Sequence, residues 1–384
     1  MFAGFATNEG TTRYIDRFPV LRDAGHFRHP QHVPQVSDLW LSSIGIGTYL
    51  GEPDDATDAA YTDAIVTALL SGVNVIDTAI NYRHQRSERS IGAALRLLID
   101  AGELRRDEVL ICTKAGYLAF DGNMPPDPRA YFMREYIETS ILDPTQIAGG
   151  MHCMTPSYLR NQIDRSRRNL NLETIDLFYL HNPESQLRDV PPDAFRQRLH
   201  DAFVMLEEEV QKGTLRYYGL ATWNAFRAAA GSRDYMNLFE AEKIARDVAD
   251  QQHHLRFVQL PFNLAMPEAY GLANQVSGNQ TSGNQFTRNQ ATSLLIAARR
   301  LGIAVMGSAT LQQGNLVADL PDFLRQKLKT RTDAESAIQF ARSAPGLTTA
   351  LIGMGKKDHV KTNLNPASQP LVPEKDWRAL FSEH

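Results

Sequence analysis

Four residues of this sequence could carry out proton transfer, and three of them stand where a strand is expected to end. Asp77, Lys114 and His181 each directly follow a short apolar run of the kind that forms a buried strand, and Tyr82 comes five residues after Asp77. An aspartate that closes an apolar strand has left the solvated surface and needs a partner. These residues therefore predict the rim of an active site, formed where several strands end together.

The residue types favour acid–base chemistry built around a tyrosine. A free tyrosine has a pKa of about 10 and is a poor proton donor or acceptor at neutral pH. A nearby ammonium group favours the phenolate, so Lys114 is predicted to lower the pKa of Tyr82, while Asp77 keeps Lys114 charged and oriented. His181 would hydrogen-bond the substrate oxygen or share in the proton transfer. An Asp–Lys ion pair without a catalytic role is the alternative, and the four matching residues, three of them at consecutive strand ends, favour catalysis.

The elements that must position these residues alternate regularly along the chain. Eight short apolar strands are predicted, most of them followed by an amphipathic helix, near residues 40–48, 73–76, 109–114, 175–181, 217–222, 257–260, 303–306 and 348–352. This alternation predicts an α/β fold, a single (β/α)8 TIM barrel. Right-handed crossovers make sequential strands neighbours, so Asp77, Lys114 and His181 are expected to meet at the C-terminal rim.

Composition excludes several other classes of protein. The 384 residues are 43% hydrophobic and 22% charged, which suits a globular core and is too polar for a membrane protein. A formal net charge of -4 gives no basic surface for nucleic acid. The two cysteines, Cys112 and Cys153, have no metal-ligand spacing, and Cys112 is expected to be a buried core residue. The first residues show no signal peptide, so a cytoplasmic protein without metal, membrane or nucleic-acid partners is expected.

Three segments do not fit the regular alternation. Residues 1–40 contain scattered prolines and are predicted to form an irregular N-terminal arm over one end of a barrel domain spanning residues 41–384. Residues 115–155 form a long, aromatic-rich connection on the catalytic face, in which Tyr117 and Phe120 are expected to line the substrate pocket. Residues 263–291 repeat Asn-Gln every five residues from 274 and are predicted to be a polar, mobile loop.

The sequence resembles the aldo-keto reductase family over nearly its whole length, from about residue 41 to residue 364. The matching segments are Gly45–Tyr49, Asp77–Tyr82, Thr113–Lys114, Asn169–Leu170, Ile175–His181, Tyr218–Trp223, Leu351–Gly355 and Thr362–Leu364. The resemblance implies a barrel that binds NADP(H) without a Rossmann domain and interconverts aldehydes or ketones with alcohols. It also implies that Tyr82 is the acid in reduction, that Lys114 and Asp77 tune it, and that His181 orients the carbonyl. Together with Tyr117 and Phe120 of the 115–155 connection, the predicted substrate pocket contains Tyr49, Tyr82 and His181.

The resemblance also implies which individual residues of this sequence bind the cofactor. Gly47, Thr48 and Tyr49 border the nicotinamide ribose beside Asp77, and Gln259 takes the carboxamide. The family's Ser-Asn pair is replaced by Ala221 and Thr222, so Thr222 with Asn224 is expected to supply those contacts. Further along the chain, Ser308 stands where an aromatic residue usually stacks on nicotinamide, and the pyrophosphate is expected at Leu311, Gln313 and Asn315.

The adenosine end of the cofactor is less clearly specified. Gly353 and His359 stand where the family carries strongly basic residues for the 2'-phosphate, and Gly355 lies in the same segment. Lys356 and Lys357 are close enough to substitute, and Asn363 matches the adenine contact. NADP(H) is the expected cofactor, and NAD(H) stays open. Two other functions also stay open: a cofactor-binding regulatory or sensor protein with little turnover, and a redox-neutral lyase or isomerase.

Overall fold

Eight parallel strands close into a barrel, as the sequence predicts. The computed structural model describes residues 1–30, 32–33, 36–278, 281–282, 285–286 and 290–381. The barrel strands are β1 Ile44–Gly47, β2 Val75–Asp77, β3 Leu110–Ala115, β4 Ile175–His181, β5 Leu215–Ala221, β6 Leu255–Pro261, β7 Ala304–Ser308 and β8 Leu347–Gly353. Each strand is hydrogen-bonded to the next in sequence, and β8 returns to β1. The predicted (β/α)8 barrel is therefore confirmed.

Helices connect the strands and cover the outside of the barrel. The helices that follow β1 to β8 in turn are Asp55–Leu70, Arg86–Asp100, Pro156–Leu170, Pro192–Gln211, Leu238–Ala249, Leu294–Leu301, Asp333–Arg342 and Lys357–Asn363. Local sequence fixes several of their ends. The Asp54 carboxylate accepts the Thr57 N–H and so caps the Asp55–Leu70 helix. Gly302, with φ of 66°, ends the Leu294–Leu301 helix in the left-handed region that favours glycine.

Shorter helices lie in the connections. They are Pro128–Phe132, Glu268–Gly271, Asp322–Leu328 and Glu374–Ala379, a π-helical turn at Met133–Ile137, and 3-10 turns at Arg106–Glu108, Pro144–Gln146, Pro183–Arg188, Asp250–Gln252, Gln312–Gly314 and Asn365–Ser368. Across the part of the chain that the structure describes, no helix has both the length and the apolar character needed to cross a membrane.

Alternate residues of the strands divide the core into an inner and an outer part. The inner cluster contains strand residues two apart together with residues of the N-terminal arm: Ala6, Val33, Val36, Leu39, Leu41, Val75, Leu110, Cys112, Leu177, Tyr179, Tyr217, Ala221, Phe257, Ala304, Met306 and Leu351. Intervening residues such as Ile111 and Phe178 pack in the larger cluster that includes the surrounding helices. Cys112 is fully buried in the inner cluster, as predicted.

The N-terminal arm lies over one end of the barrel and, contrary to the prediction, is not irregular throughout. It contains the helices Asn8–Ile15 and Pro19–Asp23, and Phe27–Arg28 pairs antiparallel with Leu41–Ser42. The Ala6 N–H donates to the carboxylate of Asp176 near the start of β4, at 2.6 Å. The arm therefore closes the N-terminal end of the barrel, opposite the predicted catalytic rim. The domain boundary at residue 41 remains a prediction.

The two long connections predicted from the sequence, residues 115–155 and 263–291, both contain buried residues. Residues 115–155 pack on themselves and on the helix that follows, through a buried cluster of Tyr136, Leu142 and Cys153 with Tyr158 of that helix. In the connection after β6, Asn274 and Gln275 are buried, and the Asn274 side-chain amide donates to the Phe226 and Ala228 carbonyls. The prediction of a polar, mobile loop is therefore wrong for this first Asn-Gln pair. The pairs that begin at 279, 284 and 289 lie wholly or partly outside the described residues.

Candidate active site

Lys114 is the centre of a buried hydrogen-bond network at the C-terminal ends of β2 and β3. Its Nζ donates to Asp77 Oδ2 at 2.7 Å, to the Thr78 carbonyl oxygen at 2.7 Å and to the Tyr82 hydroxyl at 3.4 Å. The side chain of Lys114 is 1% exposed and that of Asp77 is 8% exposed. The predicted Asp–Lys–Tyr grouping is thus present as a set of direct contacts. The contribution of Thr78 has no sequence signal, because its backbone carbonyl makes the contact.

Burial and charge act in opposite directions on these groups. Burial alone lowers the pKa of Lys114, but the Asp77 carboxylate and Tyr82 more than compensate, so the pKa of Lys114 is raised. Burial raises the pKa of Tyr82, and the Lys114 charge lowers it only in part. The prediction that Lys114 leaves the pKa of Tyr82 lowered is therefore wrong for the protein alone, because burial is the larger effect. Tyr82 is a neutral phenol at neutral pH.

His181 completes the grouping from the end of β4. Its ring lies 5.8 Å from the Tyr82 ring, measured between centroids, with the planes 77° apart. Burial and the nearby Lys114 charge lower the pKa of His181 well below 6.5, so the imidazole is neutral. Its Nδ1 is buried and has no hydrogen-bond partner in the described part of the chain. A neutral ring presents one N–H donor, which suits a hydrogen bond to a carbonyl oxygen.

Aromatic side chains border this group on both sides. Tyr49 lies edge-to-face with Tyr82 at 5.0 Å between ring centroids, and Tyr117 lies edge-to-face with His181 at 5.2 Å. Phe120, predicted in the same pocket, has its ring contacts elsewhere: with Phe132 at 4.8 Å and with Tyr131 and His84, each at 5.5 Å. The structure thus brings Tyr49, Tyr82, Tyr117 and His181 together, whereas a pocket role for Phe120 stays a prediction.

Gln259, near the end of β6, is hydrogen-bonded directly to Asp77, one of the four residues of the predicted acid–base group Asp77, Tyr82, Lys114 and His181. Its Nε2 donates to Asp77 Oδ1 at 2.7 Å, across the mouth of the barrel. Asp77 is therefore held by Lys114 on one oxygen and by Gln259 on the other. The sequence indicated a cofactor contact for Gln259 but gave no signal for this bond, because β2 and β6 lie far apart in the chain.

Apart from Asp77 on β2, the residues expected to hold the cofactor lie in or after the other five strands of the barrel, β5 to β8 and β1, which form one continuous arc. Thr222 after β5 and Thr310 after β7 are buried, and neither hydroxyl has a partner among the described residues. The loop after β7 is also unusual, because Ala309, Gln312 and Gln313 have φ of 54°, 47° and 56°. Buried hydroxyls without partners fit a site that receives a polar ligand.

The remaining expected contacts are mostly at the surface. The exposed positions are Tyr49, Asn224, Gln313, Asn315, Gly353, Lys356, Lys357 and His359; Gly47, Ser308, Leu311 and Gly355 are half-buried; Thr48 and Asn363 are buried. The Asn224 amide approaches Asp234 at 3.4 Å, and its backbone N–H donates to the buried Glu184 carboxylate at 3.1 Å. Its side chain therefore has a protein partner on the surface, unlike the hydroxyl of Thr222.

Fold and site together define a class: a parallel barrel in which Asp, Lys, Tyr and His side chains meet at the C-terminal rim. Comparison with known proteins agrees. Residues 43–239 match the model of the aldo/keto reductase family. The chain belongs to the aldo/keto reductase family. No cluster of three or more His, Cys, Asp or Glu side chains that could hold a metal ion occurs in the residues described.

Individual relatives are similar over part of the chain. An uncharacterized oxidoreductase, YqkF, of Bacillus subtilis is 26% identical over 188 residues, which cover 49% of this chain and 47% of that protein. An NADH-specific methylglyoxal reductase of Escherichia coli is 26% identical over 195 residues, covering 50% and 51%. The chain thus matches about half the length of these curated relatives.

Solved structures are similar over most of the fold. The glycerol dehydrogenase AKR11B4 of Gluconobacter oxydans superposes with a TM-score of 0.62 at 18% identity, covering 94% of this chain and 95% of that one. An aldo-keto reductase of Klebsiella pneumoniae in complex with NADPH gives a TM-score of 0.57 at 18% identity, covering 90% and 92%. At this identity the likeness shows the barrel fold alone.

Proposed function

We propose that the protein is an NAD(P)(H)-dependent oxidoreductase that interconverts an aldehyde or ketone and the corresponding alcohol. The observation that carries this proposal is the position of the Lys114 ammonium, which contacts both Asp77 and the Tyr82 hydroxyl beside a neutral His181. Such a site can donate a proton to an oxygen atom and stabilise the resulting phenolate. Proton transfer of this kind is what carbonyl reduction requires from the protein.

In the direction of reduction, Tyr82 donates its proton to the carbonyl oxygen. Its raised pKa keeps the phenol protonated at neutral pH, so the acid form is present before substrate binds. The N–H of the neutral His181 ring orients the same oxygen. Lys114 remains charged and stabilises the phenolate left on Tyr82, and Asp77 keeps Lys114 in place. The reduced nicotinamide supplies the hydride when it is bound.

The arc from β5 to β1 fits a nicotinamide dinucleotide. The Thr222 and Thr310 hydroxyls, which have no partner among the described residues, can provide polar contacts inside the rim. One N–H of the Gln259 amide donates to Asp77, which leaves the second N–H and the amide oxygen of Gln259 for a carboxamide contact. The exposed Lys356 and Lys357 are the candidates for a 2'-phosphate and thus for a preference for NADP(H) over NAD(H). A small carbonyl compound or alcohol is the proposed substrate.

The test combines turnover with cofactor binding. Purified protein is assayed for oxidation of NADPH and NADH with a panel of aldehydes and ketones, and cofactor Kd is measured by fluorescence titration. We expect Tyr82→Phe to lower kcat by about 10²–10⁴-fold, the usual contribution of general acid catalysis, with Kd nearly unchanged. Tyr14→Phe is the control, since it removes a buried hydroxyl of the arm that donates to the Leu69 and Val73 carbonyls.

Two results would overturn the proposal. Near-normal kcat in Tyr82→Phe on a verified substrate would exclude the phenol as the proton donor. Tight cofactor binding by the unmodified protein without turnover of any carbonyl or alcohol would instead support the regulatory or sensor function. The half-buried Ser308, standing where the family stacks an aromatic residue, is the feature that keeps this second function in view.

A further inference from the structure

A second histidine, His152, lies beside the rim although it belongs to the insertion between β3 and the next helix. The insertion leaves β3 and returns at the same place: the Cys153 N–H donates to the Gly116 carbonyl at 2.7 Å, and the Leu118 N–H donates to the Met151 carbonyl at 2.8 Å. His152 is therefore held opposite Tyr117, immediately beyond β3. Its side chain is buried, with the residue only 1% exposed.

The hydrogen bonds of His152 have a single consistent direction. Arg198 has donors only, and its Nη1 contacts Gln186 Oε1, so the Gln186 Nε2 must face the other way. That Nε2 lies 2.7 Å from His152 Nδ1 and 3.1 Å from the His152 carbonyl oxygen. Nδ1 is therefore an acceptor and the ring hydrogen is on Nε2. His152 Nε2 lies 2.8 Å from the carbonyl oxygen of His181, to which it donates.

Gly116 provides the room for this bond. A Cβ atom at residue 116 would lie 2.6 Å from His152 Nε2 and 2.6 Å from the His181 carbonyl oxygen. Real Cβ atoms do not approach other atoms so closely, so a side chain at this position would separate the two histidines. The glycine two residues after Lys114 is thus explained by close packing around the His152–His181 contact.

The His181 ring depends on its backbone for orientation. Its Nδ1 has no partner among the residues described, so no side-chain hydrogen bond at that nitrogen fixes the ring. The peptide that follows it is instead held from two sides, by His152 on the His181 carbonyl and by the Ala221 carbonyl on the Asn182 N–H at 2.6 Å. Tyr117 packs edge-to-face against both histidine rings, each at 5.2 Å.

We propose that His152 is a positioning residue for His181: by donating to the His181 carbonyl it fixes the end of β4, and with it the imidazole that orients the substrate oxygen. The proposal rests on the function proposed above. The chain Arg198–Gln186–His152 sets the direction of the donated hydrogen bond, and the insertion thereby contributes to the acid–base group from outside the barrel.

The kinetic test compares two substitutions of one residue. His152→Phe keeps an aromatic ring against Tyr117 but removes the donor, and we expect kcat for carbonyl reduction to fall about 10- to 100-fold, as for a misplaced catalytic group, with cofactor Kd unchanged. His152→Gln restores an N–H donor of similar reach, and we expect kcat within about threefold of the unmodified protein. Tyr136→Phe is the matched control, because it removes a buried hydroxyl bonded to the Ala119 carbonyl within the same insertion and should leave kcat unchanged.

A spectroscopic experiment tests the positioning role of His152 independently of the proposed catalytic function. In protein labelled with 15N-histidine, we expect long-range 1H–15N spectra to show His152 with its hydrogen on Nε2 and His181 as a single sharp ring signal. In His152→Phe the His181 signal should broaden or split, and in His152→Gln it should stay single. These spectra decide the positioning role even if the unmodified protein reduces no carbonyl compound, a result that would count against the proposed function alone.

Three results would overturn the proposal. The first is a hydrogen on Nδ1 of His152 in the unmodified protein, which remains measurable if His152→Phe does not fold. The second is an unchanged kcat together with an unchanged His181 signal in His152→Phe. The third is an equal loss of kcat in His152→Phe and His152→Gln, since that would assign the loss to packing.

Discussion

Removing Lys114 should destabilise the protein more than removing both members of the Asp77–Lys114 pair. The two side chains are 8% and 1% exposed and their charged atoms are 2.7 Å apart. Lys114→Met leaves the Asp77 carboxylate buried, with the neutral Gln259 amide as its remaining side-chain partner among the described residues. Leaving one partner of a buried pair uncompensated typically costs about 3–5 kcal/mol in free energy of unfolding.

The double variant makes this prediction specific. In Asp77→Asn with Lys114→Met both charges are gone, and Gln259 can still donate to the amide oxygen that the first substitution leaves in place of the carboxylate. We therefore expect the double variant to be less destabilised than Lys114→Met, with a coupling energy of roughly 2 kcal/mol. The raised pKa of Lys114 means that the contribution of the pair is present below its ordinary pKa of 10.5 and is lost only as pH rises above it, so measurements at pH 7 lie inside the window.

The assay is equilibrium urea unfolding at pH 7, followed by circular dichroism and by fluorescence, with coincident transitions and unchanged m values required. The kinetic counterpart is alcohol oxidation, which needs the phenolate of Tyr82. Without the Lys114 charge the pKa of Tyr82 should rise further, and the alkaline limb of the pH–rate profile should move to higher pH. Additive losses of stability would show that Asp77 and Lys114 are energetically independent. An alkaline limb that does not move would show that Lys114 does not act on Tyr82.

Three other predictions concern the pocket, the cofactor and pH. Because the pKa of His181 lies well below 6.5, kcat/KM for reduction should show no inflection near pH 6.5; an inflection that disappears in His181→Gln would contradict a neutral imidazole. If Phe120 lines the pocket, Phe120→Ala should change the ratio of kcat/KM for large and small carbonyls, whereas equal losses that follow a lower Tm would assign it to the aromatic cluster with Phe132. Replacing Lys356 and Lys357 together by Ala should raise Kd for NADPH about tenfold or more and leave Kd for NADH unchanged, because a phosphate contact is lost. Lys361→Ala is the control, since this lysine is exposed and its Nζ lies 4.0 Å from the Asp358 carboxylate. Equal changes in Kd for both cofactors would exclude a 2'-phosphate contact by Lys356 and Lys357.

The barrel and the centre of its site can be predicted because their signals are local. Asp77, Lys114 and His181 each end an apolar run, and the order of parallel strands in a barrel follows the order of the sequence. Neighbouring strand ends then bring the three residues together without further information. The bond from Gln259 to Asp77 spans 182 residues of sequence, and nothing near either residue indicates it.

Other features depend on burial and packing, which the sequence does not show directly. The predicted direction of the pKa shift at Tyr82 is wrong because the Lys114 charge is visible in sequence, whereas the depth of burial is set by the whole fold. The helix Asn8–Ile15 escapes prediction because the scattered prolines of residues 1–40 indicate irregular structure, although Thr7 caps this helix through its hydroxyl. Aromatic residues such as Phe120 give the same composition whether they face a ligand or one another.

The arm that closes the base of the barrel sets an order of events during synthesis. The arm is made before the barrel strands, yet Ala6 binds a residue 170 positions later, and Arg28 binds the Leu347 carbonyl, 319 positions later. Apolar arm residues such as Val33 and Val36 therefore cannot pack against all of their final neighbours in the barrel until most of the chain has been made. Contacts so distant in sequence form slowly and expose apolar surface in the meantime. The arm is thus made before the barrel that it closes, and its contacts can be completed only after the barrel strands exist.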